Sequence, residues 1–224
     1  MEPDIDALEQ VLSARHSCRG FRPDPVPQEV IARMVTAAGR APSWCNAQPW
    51  KLTVTRGEET DRFRAALLDE VATGTPCPDL PWPERYPGVH GARRRECGLQ
   101  LYEAVGIARE DRAARAEQSM ENYRLFGAPH VAIVHSEAAL GPYGAMDTGG
   151  FVTAFMLAAT ALGVGSIAQA SVAAYAPFVR AHFGLPETRL ILCAISFGWP
   201  DPEHPANRFR TGRAALDEVC DIRE

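Results

Sequence analysis

The sequence predicts an α+β fold on three observations. Apolar runs with strand character are few and short, at 51–55, 130–135, 164–168 and 190–197. The helical stretches between them do not alternate with strands regularly enough for a doubly wound sheet. The 224 residues are 46% hydrophobic, and a single globule of this length buries roughly 70–75% of its unfolded surface. One domain spanning 1–224 is expected, with a small central sheet wrapped by long helices.

In chain order, Ile5, Leu8, Val11 and Leu12 share one face of a first helix. Residues 15–21 read as a loop of alternating character. Pro27 suits a first helical turn, and Val30, Ile31, Met34, Val35 and Ala38 keep helical spacing to about Gly39. Leu52 and Val54 alternate as in a strand. Phe63, Leu67, Leu68 and Val71 mark a third helix. Residues 74–92 hold five prolines and three glycines with Trp82 and Tyr86, and read as a long loop of functional character. An Arg- and Glu-rich helical region follows, so that an insertion spans about 74–126. His130–His135 is a buried strand, and Asp147–Leu162 is an almost wholly apolar core helix. After the strand at 164–168, Ala176–Phe183 is a helix stopped by Gly184 and Pro186.

The net charge of −5 is mixed along the chain and speaks against nucleic acid and anionic membrane as partners. The six cysteines show no CxxC or zinc-ligand spacing, so no metal is expected. The start, MEPDIDALEQ, is acidic and polar, unlike a signal peptide. A cytoplasmic protein with free thiols is therefore expected. The uncharged stretch 148–179 is broken by glycines and Pro177. Its clean helical part, about 13 residues, falls short of the roughly 20 that a bilayer requires.

Arg15, Ser17 and Arg19 are spaced two apart. In an extended segment they face one side, where two guanidinium groups and a hydroxyl suit a phosphate. A solvated basic loop explains these residues as well. Pro42 and Pro49 bracket a turn in which Ser43, Trp44, Asn46 and Gln48 crowd polar groups, including two amides suited to a heterocycle edge. Cys45, within it, reads as a packing thiol. Gly163–Ala168 matches G-x-G-x-x-A, but a helix precedes it and a strand follows. That order is the reverse of a dinucleotide fingerprint. Arg208, Arg210 and Arg213 form a basic run near the C-terminus.

The segments RHSCRGF (15–21) and APSWCNAQPW (41–50), in this order and separated by an amphipathic helical stretch, resemble the N-terminal signature of the nitroreductase family. These are flavin enzymes that hold FMN at a dimer interface. ALGVGSIAQAS, FGWPDPEHPAN and the basic run before Leu216 extend the resemblance over most of the chain. It implies a largely antiparallel sheet and an intertwined homodimer. By the resemblance, Arg15, His16, Ser17, Arg19, Arg210 and Arg213 hold the FMN phosphate and ribityl chain. Pro42, Ser43, Trp44, Asn46 and Gln48 then reach across the dimer to the flavin. Gln169, Ala170 and Ser171 present backbone to the ring, although many relatives have Glu-Gly in place of Ala170-Ser171. Asn122 falls near the ribityl position. Trp82, Tyr86, Tyr123 and Phe126 are candidates to cover the flavin face and stack an aromatic substrate; core or loop packing explains them equally.

The activity implied is a ping-pong reduction of nitroaromatic or quinone-like molecules by NADPH or NADH, with flavin-centred chemistry and no required protein acid or base. Ene reduction, dehalogenation, and dehydrogenase or oxidase chemistry on a specialised metabolite are the alternatives. A non-catalytic flavin-binding protein is a third.

Overall fold

The computed structural model describes residues 4–223. Seven α-helices surround one sheet: α1 (Ile5–Ala14), α2 (Gln28–Ala38), α3 (Glu58–Thr73), α4 (Gly88–Ala104), α5 (Arg112–Met120), α6 (Gly141–Ala161) and α7 (Ala176–Phe183). The strands are β1 (Trp50–Val54), β2 (His130–Glu137), β3 (Gly165–Gln169) and β4 (Arg189–Gly198). They pair antiparallel throughout, in the order β1-β2-β4-β3. The α+β expectation holds.

Both faces of the sheet are covered, which explains why His130–His135 reads as a continuous apolar run. Val131 and Ile133 pack on one side with Phe63 and Leu67 of α3 and Val179 of α7. Ala132 and Val134 pack on the other with Met34 of α2 and Phe151 and Phe155 of α6. Strand side chains alternate, so one strand feeds two cores. β2 and β4 are the inner strands, and a register shift at Val134/His135 keeps their longer pairing in step with the sheet.

Two boundaries differ from the sequence reading. The 74–92 loop ends at Pro87, where α4 begins. Pro87 is extended (φ −74°, ψ 149°) and serves as the N-cap, so proline and glycine here mark a helix start. α6 begins six residues earlier than expected, because Pro142 sits in its first turn, where a missing N–H costs nothing. The helical stretch after the loop is two helices, broken around Gly106 (φ +71°).

The 74–87 loop is fastened at its near end. Asp79 and Arg180 form a salt bridge at 2.5 Å, with side chains only 12% and 8% exposed. The same Asp79 oxygen accepts the Ile191 N–H at 2.7 Å, and the Cys77 N–H donates to the Ala174 carbonyl at 2.6 Å. Beyond Leu80 the loop is exposed. All six cysteines are free. No helix among the described residues is long and apolar enough to cross a membrane.

Candidate active site

The 15–21 segment lies along the free edge of β3. Ser17 pairs with Ser166 in a parallel bridge, and the Cys18 N–H donates to the Ser166 carbonyl at 3.1 Å. Paired residues share a side and neighbours alternate. Ser17 and Arg19 therefore stand with Ser166 and Ala168, while Cys18 points into the protein and is fully buried. Gly165 makes this approach possible: a Cβ there would come within 2.7 Å of the Cys18 sulfur. The expected alternation of Arg15, Ser17 and Arg19 is thus built by pairing to the sheet.

Arg15, His16, Ser17 and Arg19 line one cleft of about 540 Å³ with Arg210 and Arg213. Asn207 brings the C-terminal segment there. Its Oδ1 accepts the Arg19 N–H at 2.7 Å, and its Nδ2 donates to the carbonyls of Gly20 and Asp201 at 2.9 and 2.8 Å. Phe209 lies under the Arg19 guanidinium, 5.7 Å from its ring centre. Arg208 instead turns toward Glu203, at 3.6 Å. Among the described residues, none of Arg15, Arg19, Arg210 and Arg213 has a carboxylate partner.

The electrostatics record this crowding of like charge. Burial pulls the Arg15 guanidinium below its ordinary range, and the charge of Arg213 adds to the effect. Burial does the same to Arg19. His16 is pulled down by burial, with Arg210, Arg15 and Arg19 adding, against the hydrogen bond to the Ala14 carbonyl. A cleft of unpaired, partly desolvated cations is costly without an anion in it.

The second group forms a tight turn after α2. Cys45, Asn46 and Gln48 have φ of 52°, 55° and 47°, left-handed values that cost roughly 1–3 kcal/mol each in non-glycine residues. Internal bonds hold the turn. The Gln48 N–H donates to Ser43 Oγ at 2.9 Å, Gln48 Nε2 to the Asn46 carbonyl at 3.3 Å, and the Trp44 N–H to Asp147 at 2.9 Å. Pro42 and the Trp44–Gln48 side chains are exposed, and Trp44 meets Tyr143 edge-on at 4.6 Å. Within one protomer this turn lines a separate cavity of about 290 Å³ and shares none of the arginine cleft.

At the end of β3 the side chain of Gln169 is fully engaged inside the protein. Its Nε2 donates to the Asn122 carbonyl at 2.6 Å, and its Oε1 accepts from Ser196 at 2.5 Å. Ala168 and Ala170 are exposed beside it and leave a smooth surface. The Ser171 hydroxyl is buried without a partner. Asn122 donates from Nδ2 to the Ser119 carbonyl at 3.1 Å, so it is tied both to α5 and to β3.

The aromatic candidates divide. Trp82 and Tyr86 are 49% and 47% exposed, and Arg94 lies over the Tyr86 ring at 5.1 Å. Tyr123 is half-buried against Tyr175 at 5.8 Å. Phe126 is a correction: it is only 6% exposed, held by a left-handed turn with Leu125 (φ 52° and 56°), and is a core residue. Cys97, Phe209 and Asn207 were not singled out in the sequence. Phe209 and Asn207 lie in the basic run, where no spacing sets them apart from the arginines around them. Cys97 reaches the cleft from α4, and no local pattern signals that.

The sequence profile of the nitroreductase family matches residues 12–199. The chain belongs to the nitroreductase family. Within it, the chain is similar to nitroreductase NfnB of Mycolicibacterium smegmatis, 38% identical over 221 residues that cover 97% of this chain and 94% of that protein. The crystal structure of the FMN-dependent nitroreductase NfnB from Mycobacterium smegmatis in complex with NADPH superposes with a TM-score of 0.93 at 37% identity, covering 98% of this chain and 99% of the other. The 4-nitrobenzoate reductase of a Nocardioides strain is 30% identical over 96% of this chain and 89% of its own length. Membership in this family accounts for the fold.

Proposed function

We propose that this chain is an FMN-dependent oxidoreductase. It draws electrons from NADPH or NADH and reduces electron-poor small molecules of the nitroaromatic or quinone-like kind. The observation that carries this reading is the cleft in which four guanidinium groups converge without carboxylate partners. Its donor set fits a terminal phosphate: forked, permanently charged donors from Arg15, Arg19, Arg210 and Arg213, with the Ser17 hydroxyl among them. Relatives described as FMN-dependent nitroreductases support it.

When bound, FMN supplies the redox chemistry, accepting two electrons from a reduced nicotinamide and passing them to the substrate. The chain's residues bind and orient. The arginine cleft fixes the phosphate end. The exposed Ala168 and Ala170 leave room for a flat ring against β3, and the Gln169 side chain, committed inward, does not project into that space. Preorganised backbone donors stabilise developing charge without a titrating side chain.

The working unit in this reading is a cytoplasmic homodimer. Ile5, Leu8, Trp44, Tyr143 and Met146 are large apolar residues left exposed in a single protomer, and Trp44 and Tyr143 lie against each other at 4.6 Å. In the dimer the strained 43–48 turn of one protomer completes the arginine cleft of its partner. The 74–126 stretch is an insertion that shapes the substrate-facing side. Purified protein should release FMN and give parallel-line kinetics with NADPH and 4-nitrobenzoate. Released FAD, or intersecting lines, would contradict the reading.

A further inference from the structure

Resting on the reading of the arginine cleft as a phosphate site, we propose that Asn207, with Phe209 beside it, is the positioning residue of that cleft. It holds the C-terminal pair, Arg210 and Arg213, within reach of the group that Arg15 and Arg19 bind. Asn207 does not itself line the cleft. It is 7% exposed, and its side chain is committed elsewhere. Oδ1 accepts the Arg19 N–H at 2.7 Å, while Nδ2 donates to the carbonyls of Gly20 and Asp201 at 2.9 and 2.8 Å. An amide offers an acceptor and two donors at once, so this one residue satisfies an N–H and two carbonyls.

The two bonds to Arg19 and Gly20 carry the join between the halves of the cleft. The N-terminal half has other support: the Arg22 N–H donates to the Trp199 carbonyl at 2.9 Å, and the Asp201 N–H to the Gly20 carbonyl at 3.0 Å. The C-terminal half does not. Among the described residues, every other hydrogen bond of 203–213 stays within 201–213. The His204 ring lies against Gly20 and seats the turn before Asn207. Beyond it, residues 209–215 form neither helix nor strand, and Arg210 and Arg213 are exposed. Phe209 adds one contact, its ring centre 5.7 Å from the Arg19 guanidinium.

Charge works against the join. Arg210 and Arg213 bring two more cations to Arg15 and Arg19, and Arg15 and Arg213 repel. In the empty protein that repulsion pushes the 209–215 stretch away from the 15–19 segment. The Asn207 bonds oppose it with neutral groups, so they hold the cations together without cancelling the field that a phosphate needs. A cleft assembled beforehand binds its anion without the cost of gathering the donors.

The test compares FMN with riboflavin, which has the same ring and ribityl chain and lacks the phosphate. Both are titrated by flavin fluorescence into the FMN-free, full-length protein. The wild type should prefer FMN by about 100-fold or more, the scale of charge-assisted hydrogen bonds to a phosphate. Asn207→Ala should cut that preference by about 10–100-fold and leave riboflavin affinity within about threefold. In the FMN-free variant, trypsin should cut first after Arg208, Arg210 or Arg213, and FMN should slow that cutting toward the wild-type rate. An unchanged preference for FMN in Asn207→Ala overturns the proposal. So does an equal loss of both ligands in a folded variant, with cleavage spread over the chain, which would make Asn207 a residue of the fold alone. Should Asn207→Ala not fold, Phe209→Leu decides, because it removes no buried hydrogen bond. It should lower the preference about two- to fivefold by unseating the Arg19 guanidinium, and an unchanged preference there overturns the proposal. A wild type that binds FMN no better than riboflavin would instead defeat the phosphate reading of the cleft.

Discussion

Replacing Arg15 by glutamate should weaken FMN binding while stabilising the empty protein. In the cleft Arg15 is partly desolvated and repelled by Arg213, and both effects pull its guanidinium below its ordinary range. Loss of a charge-assisted hydrogen bond to a phosphate costs about 1.5–3 kcal/mol. A carboxylate in its place adds repulsion of about 1–4 kcal/mol at 4 Å, depending on screening. The sum predicts FMN affinity reduced by about two to five orders of magnitude. Without cofactor the sign reverses, because an Arg15–Arg213 repulsion becomes a Glu–Arg attraction. Discounted for solvent screening, that is on the order of 0.5–1 kcal/mol, or a rise of about 1–4 °C in melting temperature for a chain of this size. Flavin-fluorescence titration of the apoprotein gives the first quantity, and thermal melts with and without FMN give the second. A variant that loses stability in both states would show that Arg15 holds up the fold. An affinity within about threefold of wild type would show that it does not meet the phosphate.

Other consequences are separable from this one. Arg15→Glu in one protomer and a Ser43/Asn46 double change in the other should yield mixed dimers with one intact site, restoring about half the flavin and activity of wild type; verified heterodimers with no recovery would place both segments in one protomer's site. Asp79→Ala should lower the melting temperature by up to roughly 20 °C, because it leaves the buried Arg180 with only the exposed Glu187, 3.4 Å away, as a carboxylate partner, whereas removing residues 81–85 should shift substrate preference and spare FMN affinity. An unchanged melt for Asp79→Ala would remove the anchor. His135 is buried, and that burial, with the charges of Arg189 and Lys51, lowers its imidazole to about 4. Below the unfolded value of about 6.5 the unfolded chain takes up the proton and the folded chain does not, so stability falls from pH 6.5 down to about 4 and then levels. Chemical denaturation across that window should show a shallower fall in His135→Gln; identical slopes would clear His135.

Much of the architecture was legible because its signals are local. The two-residue spacing of Arg15, Ser17 and Arg19 is a strand period, and pairing with Ser166 realises it. HVAIVH reads as buried on both faces because Val131 and Ile133 enter one core and Ala132 and Val134 the other. What was not legible is non-local or conformational. The Pro87–Gly88 pair looks the same in a loop as at a helix start. Phe126 was open to a surface role until the left-handed turn at Leu125–Phe126 placed it in the core. Asn207 staples Arg19 to the C-terminal segment across 188 positions, and no pattern within either segment announces that bond. The exposed sides of α1 and α6 carry Ile5, Leu8, Leu12, Tyr143 and Met146, which nothing within the chain covers.

The most direct test of the central claim is an anaerobic titration of the purified, yellow protein. NADPH should bleach the visible flavin bands completely at about one equivalent per bound FMN, as a two-electron transfer to one flavin requires. Adding 4-nitrobenzoate to the bleached, nicotinamide-free protein should then return the oxidised spectrum. A bound flavin that stays oxidised under excess NADPH and NADH, or that is reduced and not reoxidised by any nitroaromatic or quinone, would contradict the account.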